Sequence, residues 1–127
     1  MELIKLVQRI FENLNNWDCE VDKALQRFLS DEELSYKCLC DFCNDEAFNL
    51  LKQSILNKEY KNVFQNAHSL KGVSANLGLI PIYNSCNNIT ELVRNAIPCD
   101  IDLKLQKNYE ELNSQRLCLL NILENTL

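Results

Sequence analysis

The chain contains almost no residues that would interrupt a helix. Only two glycines and two prolines occur among its 127 residues, and no stretch alternates apolar and polar residues between turn-forming residues, as a half-buried strand would. Apolar residues instead recur every three or four positions, which is the spacing of one helix face. The sequence therefore predicts an all-α protein. We expect an antiparallel up-and-down four-helix bundle with additional short N-terminal helices, in a single domain over residues 1–127.

Three helices are expected in the first half of the chain. The first carries an apolar stripe around Val7, and a short second helix begins near Val21. The third is predicted to be long and to run to Ile55. It should begin at a capping box in which the Ser30 hydroxyl accepts a hydrogen bond from the Glu33 amide.

Three further helices are expected in the second half. The fourth spans about residues 59–77 and ends at Gly78, which can adopt the left-handed dihedral angles needed just beyond a helix C-terminus. Pro81 fits the first turn of a fifth helix, and Pro98 marks its far end. The last helix is predicted over about residues 100–125.

Composition and charge exclude several classes of protein. The net charge of −5 speaks against a nucleic-acid partner. No apolar run approaches the roughly 18–20 residues of a membrane helix, and the N-terminal segment does not resemble a signal peptide, so we expect a cytoplasmic protein without a membrane partner. The seven cysteines are an odd number and are expected to be reduced. A helix would direct Cys38 and Cys40 about 200° apart, so no metal site is predicted there.

One stretch of the chain has the opposite charge. Between Ala47 and Thr90 the sequence has one acidic residue, Glu59, and four lysines, which leaves three net positive charges. The same stretch contains the only histidine, His68. The lysines are Lys52, Lys58, Lys61 and Lys71.

His68 is predicted to point away from the core. It lies about 100° around the helix from the apolar stripe that includes Ala67 and Leu70. Five residues share its face, three or four positions away or one turn further. They are Phe64, Gln65, Lys71, Gly72 and Ala75.

Lys71 and Gly72 distinguish this face from an ordinary surface. A glycine inside a helix costs about 0.5–1 kcal/mol relative to alanine, and here, with the small Ala75, it leaves room for another protein beside the imidazole. The Lys71 ammonium could neutralise the oxygens of a phosphoryl group or another anion. The spacing alone indicates either a phosphoryl- or anion-handling face or a plain surface histidine.

A longer motif around His68 resembles a known signature. Histidine-containing phosphotransfer (HPt) domains carry the pattern H-x-L-K-G-x-[SA]-x-x-[LF]-G, and this chain reads His68-x-Leu70-Lys71-Gly72-x-Ser74-x-x-Leu77-Gly78. The upstream segment is similar to the one that commonly precedes this motif in bacterial members. The resemblance covers roughly residues 16–97. The upstream matches are Trp17-Asp18, Ala24-Leu25-x-Arg27-Phe28, Asp31-x-x-Leu34 and Phe42.

The resemblance implies a phosphorelay intermediate. His68 would accept a phosphoryl group from a receiver-domain aspartyl phosphate and pass it to another receiver aspartate, as a phosphohistidine carrier without kinase activity of its own. Lys71 matches the family's phosphate-facing lysine, and Gly72 matches the glycine that permits close approach. The partner-binding candidates are Phe64, Gln65 and Ala75.

The resemblance also implies partners and a second group at the imidazole. The partners would be response-regulator receiver domains, with a hybrid sensor histidine kinase as a further candidate. Separately from the resemblance, the last helix is apolar almost all round from Leu117 to Leu123. We interpret this run as core closure and expect a monomer, with a dimer face as the alternative. Mg²⁺ is expected on the receiver, with no cofactor on this chain. Thr90 or Asn87 of the next helix is a candidate to orient the imidazole, and the sequence leaves that choice open.

Other functions are less well supported by the residues. A histidine domain of a chemotaxis-type kinase has a similar motif, but this chain has no glycine-rich nucleotide site with which to phosphorylate itself. A helical adaptor that docks on a receiver or kinase without phosphate chemistry would not need an intact His68, Lys71 and Gly72. A hydrolase would need a nucleophile–base pair, which the sequence does not show.

Overall fold

A computed structural model describes residues 2–94 and 99–125, with side chains for residues 5–94 and 99–124. In these ranges the chain forms seven α-helices and no strand, which confirms the predicted all-α class. The helices are α1 (Glu2–Asn16), α2 (Val21–Arg27), α3 (Glu32–Cys43), α4 (Ala47–Leu56), α5 (Tyr60–Asn76), α6 (Ile80–Arg94) and α7 (Ile101–Asn125).

The last four helices form the predicted up-and-down bundle. Helices α4 and α6 each pack against both α5 and α7, so the four helices enclose one core. α1 and α3 pack on the outside of α7. With 15 residues, α1 is longer than the short N-terminal helices expected from the sequence. Fully buried side chains of the bundle include Leu51, Leu70, Ile82, Ile89, Leu105, Leu112 and Leu119.

The prediction of one long third helix is wrong, because the chain interrupts it at residues 44–46. The Asp45 carboxylate accepts a hydrogen bond from the Ala47 amide at 2.9 Å. The Asn44 side chain donates to the carbonyl of Cys40 at 3.2 Å. Such short-range bonds from Asn and Asp compete with the helical pattern. The segment therefore forms two helices, α3 and α4, instead of one.

The predicted cap of the third helix is also wrong by one residue. The Asp31 carboxylate accepts a hydrogen bond from the Leu34 amide at 3.0 Å and so caps α3. Ser30 has φ of 62°, whereas an N-cap residue needs extended backbone angles. Its neighbour Asp31 has φ of −82° and ψ of 98°, which suits the role.

The fourth predicted helix corresponds to α5. Each end of α5 lies within one residue of its predicted boundary. Gly78 follows it with φ of 72°, as predicted. A Cβ atom at this position would lie 2.5 Å from the carbonyl oxygen of Glu20. The Glu20 amide in turn donates to the Gly78 carbonyl at 2.8 Å. Position 78 therefore requires glycine both for its backbone angles and for this close approach.

The remaining boundaries agree with the sequence where they are described. Pro81 lies in the first turn of α6, as predicted, while Pro98 falls outside the described residues. In residues 2–94 and 99–125, no helix has the length and apolar character needed to cross a membrane. All seven cysteines are free thiols. The described residues contain no group of three side chains suited to a metal ion.

Candidate functional site

Helix α5 buries one face in the bundle and presents the other to solvent. Val63, Ala67 and Leu70 are at most 1% exposed, and their burial fixes the rotation of the helix. His68 is exposed, as the helical spacing predicted. Of the residues that share its face, Gln65 and Gly72 are exposed. The others, Phe64, Lys71 and Ala75, are half-buried.

The imidazole of His68 stacks on the ring of Phe64. The two ring centres are 5.7 Å apart, and the planes are inclined by only 7°. Residues four positions apart lie one above the other on a helix, so the stack forms within α5. The guanidinium of Arg94, on α6, lies 5.9 Å from the centre of the same Phe64 ring. Arg94 also forms an ion pair with Glu91 at 3.2 Å.

The ammonium of Lys71 lies beside α6 on the other side of His68 along α5, toward Gly78. It is 5.6 Å from the centre of the Tyr83 ring, which is the arrangement of a cation–π contact. The buried thiol of Cys86 lies nearby. Burial raises the pKa of Cys86 to about 12, and the positive charge of Lys71 opposes that rise. The lysine side chain therefore lies against α6, next to the Tyr83 ring.

Gly72 leaves an open patch of helix backbone beside the imidazole. A Cβ atom built at this position would meet no atom within 4 Å apart from its chain neighbours and its own helix backbone. A larger residue would therefore fit, and it would also favour the helix. Packing within the described chain thus gives no reason for a glycine here.

A surface cavity of about 500 Å³ adjoins this face between α5 and α6. Its lining includes two cations, Lys61 and Arg94, together with Phe64 of the stacked pair. Not all of the lysines in the basic stretch are at this face, because Lys58 pairs with Asp102 of α7 at 3.6 Å. The cavity is lined by Tyr60, Lys61, Phe64, Gln65, Val93 and Arg94.

The Hpt domain family model matches residues 44–115, more than half of the chain. The chain belongs to the Hpt domain family. The match begins just before α4 and ends within α7, so it covers α4, α5, α6 and part of α7. It lies further along the chain than the region of resemblance, 16–97, and it leaves out the upstream segment. Comparison with curated proteins and with solved structures gave no significant match.

Membership gives the exposed histidine face a biochemical context. Hpt domains are phosphocarrier modules of two-component phosphorelays and are not catalysts. In this Hpt domain the histidine of the motif lies on α5, which buries one side in the bundle, and that helix is within the matched residues. The site described above is therefore the candidate for phosphoryl transfer.

The two residues predicted to orient the imidazole make other contacts in this Hpt domain. Thr90 is fully buried, and its hydroxyl donates to the carbonyl of Asn87 at 2.8 Å within α6. In the described part of the chain no hydrogen bond joins either residue to His68. The ring contact of the imidazole is with Phe64 instead. The orienting role of Thr90 or Asn87 stays a prediction.

Arg27 secures the C-terminal end of α5. Its Nη1 atom donates to the carbonyl oxygens of Ala75 at 3.2 Å and Asn76 at 3.1 Å. The last carbonyls of a helix have no partner within the helix, so an external donor stabilises that end. Arg27 belongs to the upstream segment that resembles other HPt domains. Its contact links α2 to the helix that carries His68.

Sequence reasoning missed Tyr83 and Arg94, two α6 side chains that contact Lys71 and Phe64 at this site. A signal was present in the predicted topology. In an antiparallel pair of helices, residues at similar distances from the turn lie opposite each other. Lys71 and Tyr83 are both within two helical turns of Gly78, and Phe64 and Arg94 are both about four turns away. Pairing residues across the turn would have placed both α6 residues near the site.

Proposed function

We propose that this Hpt domain is a phosphorelay intermediate. His68 accepts a phosphoryl group from the aspartyl phosphate of one receiver domain and transfers it to the aspartate of another. The observation that carries the proposal is an exposed imidazole next to the bare backbone of Gly72 on one helix face. A receiver could bring its phosphorylated aspartate to the imidazole without meeting a side chain at position 72.

The transfer is a displacement at phosphorus. An unprotonated ring nitrogen of His68 donates its electron pair to phosphorus and forms the N–P bond. The P–O bond to the receiver aspartate breaks, and its electron pair leaves on the aspartate carboxylate. The same steps in reverse, with a second receiver, return the imidazole and form a new aspartyl phosphate. No external oxidant, reductant or nucleotide is required.

In this proposal, the negative charge of the transferred phosphoryl group is neutralised by both proteins. Lys71 lies one helical turn from His68, and its ammonium can approach the oxygens of phosphohistidine. Most of the electrostatic stabilisation would come from Mg²⁺ on the receiver, so this chain needs no cofactor. The Hpt domain contributes a nucleophile on a rigid helix, which reduces the reorganisation needed to reach the transition state.

Partner recognition would use the rest of the exposed face. Gln65 and Ala75 flank His68 at either end, and Gly72 lies between them. The proposed partners are receiver domains, including that of a hybrid sensor histidine kinase. We expect the protein to bind them as a monomer.

Transfer from a phosphorylated receiver tests the proposal. The wild-type protein should take up label that is lost in acid and stable in alkali, which is the behaviour of phosphohistidine. His68→Gln should take up none while its circular dichroism stays unchanged. Asn62→Gln, on a different exposed side of α5, is the matched control and should be labelled at the wild-type rate.

Two outcomes would reject the carrier function. Label that persists in His68→Gln would remove the only histidine from the chemistry. A wild-type protein that binds the phosphorylated receiver but takes up no label would instead be a helical adaptor. Binding is measured by titration of a fluorescent receiver, so the two functions are separated in one set of samples.

A further inference from the structure

We propose that Phe64 is a positioning residue for phosphoryl transfer, because its ring fixes the plane of the His68 imidazole. The inference rests on the proposed function and deepens it. The sequence suggested only that Phe64 binds the partner. The structure adds a direct contact with the nucleophile, because the two rings are stacked at 5.7 Å and inclined by 7°.

An exposed histidine needs such a restraint to react efficiently. The torsion that turns the imidazole about its Cβ–Cγ bond has broad minima, so an unrestrained ring samples many planes. Parallel stacking on Phe64 opposes this rotation, because turning the imidazole would separate the two faces. Phe64 is half-buried and its own helix is packed on the bundle, so it provides a fixed surface.

The orientation of the two stacked rings allows the His68 imidazole to attack phosphorus. The electron pair of a ring nitrogen lies in the plane of the imidazole, so the phosphorus must approach along that plane. Since the Phe64 ring is nearly parallel to it, the approach passes alongside the phenylalanine and is not blocked by it. A stacked ring also leaves both nitrogens free of hydrogen bonds. An orienting side chain such as Thr90 would occupy one of them.

Arg94 provides a second contact that restrains Phe64. Its guanidinium lies over the Phe64 ring at 5.9 Å, and its ion pair with Glu91 at 3.2 Å limits its own movement. The restraint on the imidazole therefore reaches from α6 through Phe64 to His68. None of these three contacts requires a partner protein to be present.

Nuclear magnetic resonance of the unphosphorylated protein tests the contact itself. His68 is the only histidine, so the imidazole signals of the whole chain report on one ring. The face of Phe64 should shift the imidazole protons upfield. Phe64→Leu should abolish this shift, and Phe64→Tyr should keep it. Phe28→Leu is the matched control, because it removes another half-buried ring away from the site, and it should also keep the shift. Imidazole signals that are the same in Phe64→Leu and in the wild type would overturn the proposal.

Single-turnover transfer from a phosphorylated receiver tests the consequence. In Phe64→Leu the rate constant at saturating receiver should fall about ten- to a hundredfold, as expected for a misoriented nucleophile. The receiver concentration that gives half the maximal rate should change by less than about twofold, and Phe64→Tyr should restore the rate. A pure docking contact would give the reverse pattern, an unchanged maximal rate with a higher half-saturating concentration, and that result would overturn the proposal.

The two proposals fail in different ways. If the wild-type protein takes up no label, the carrier function is rejected and the role of Phe64 in transfer is rejected with it. If the wild type is labelled on His68 and Phe64→Leu transfers at the same maximal rate, only the positioning role is lost. Arg94→Gln gives an intermediate check, since it should reduce the upfield shift less than Phe64→Leu does.

Discussion

The ammonium of Lys71 lies 5.6 Å from the centre of the Tyr83 ring, so an aromatic residue of α6 contacts the cation that follows His68 by three residues on α5. The position of this charge is therefore set by two helices and not by the lysine alone. Exposed cation–π contacts are worth about 0.5–1 kcal/mol, enough to favour one position of a flexible side chain. Tyr83 thus belongs to the proposed site although it is not part of the recognised motif.

Replacement of Tyr83 by leucine should slow phosphoryl transfer to His68 about two- to fivefold, which is the rate equivalent of losing this contact. The fall is expected because Lys71 would spend less time near the phosphoryl oxygens. Tyr83→Phe keeps the ring and should transfer at close to the wild-type rate. Single-turnover labelling with a phosphorylated receiver measures the effect. Equal rates for Tyr83→Leu and Tyr83→Phe would show that the contact does not matter for transfer.

Replacement of Gly72 by glutamine should separate stability from transfer. Apart from its chain neighbours and its own helix backbone, no atom lies within 4 Å of a Cβ at this position, so a side chain can start there without a clash. The free energy of unfolding should rise by about 0.5–1 kcal/mol because glycine is a poor helix former. Transfer should nevertheless slow, since the new side chain occupies the surface that a receiver must approach. Urea unfolding and labelling on the same preparation test both parts, and normal transfer would contradict the close-approach argument.

Replacement of Gly78 by alanine should have the opposite effect on stability. The residue has φ of 72° and a Cβ would lie 2.5 Å from the Glu20 carbonyl oxygen. The left-handed angles alone should lower the free energy of unfolding by at least about 1–2 kcal/mol. Gly72→Ala is the matched control, because the same substitution in the helix should stabilise. Urea unfolding of the two variants should therefore give changes of opposite sign, and changes of the same sign would count against this account of Gly78.

The buried thiol of Cys86 should make the fold sensitive to alkali. Burial raises the pKa of Cys86 from an ordinary 9.0 to about 12. Above pH 9 the unfolded chain loses this proton while the folded chain keeps it, so the stabilising contribution is complete below pH 9 and is lost as the pH rises toward 12. The loss can reach about 1.4 kcal/mol per pH unit.

A pH series with reductant tests this thiol. Urea unfolding at several pH values between 8 and 11 should show a decline that is less steep in Cys86→Ala than in the wild type. The comparison uses slopes, so the smaller side chain and its cavity do not affect it. Parallel declines in the two proteins would show that Cys86 stays neutral in both states or ionises in both.

The fold class and the motif helix could be predicted because they depend on local spacing. The apolar stripe of α5 repeats at the helical period, and Gly78 follows the helix at a position with left-handed backbone angles. The same spacing predicted that His68 would be exposed. The same apolar spacing also predicted one long third helix, and that prediction is wrong. The side chains of Asn44 and Asp45 form hydrogen bonds to nearby backbone groups that compete with the helix. The apolar spacing does not indicate that these bonds form.

By itself, the amino-acid sequence determined the all-α class, the solvent-facing histidine and the small residue beside it, since all three follow from the order of residues along a helix. Only the tertiary structure decided which side chains surround that histidine. Tyr83 and Arg94 reach the site because α6 packs antiparallel to α5, and Thr90 is turned into the core by the same packing. The rotation of one helix against another depends on how all the buried side chains fit together, and no local pattern specifies it.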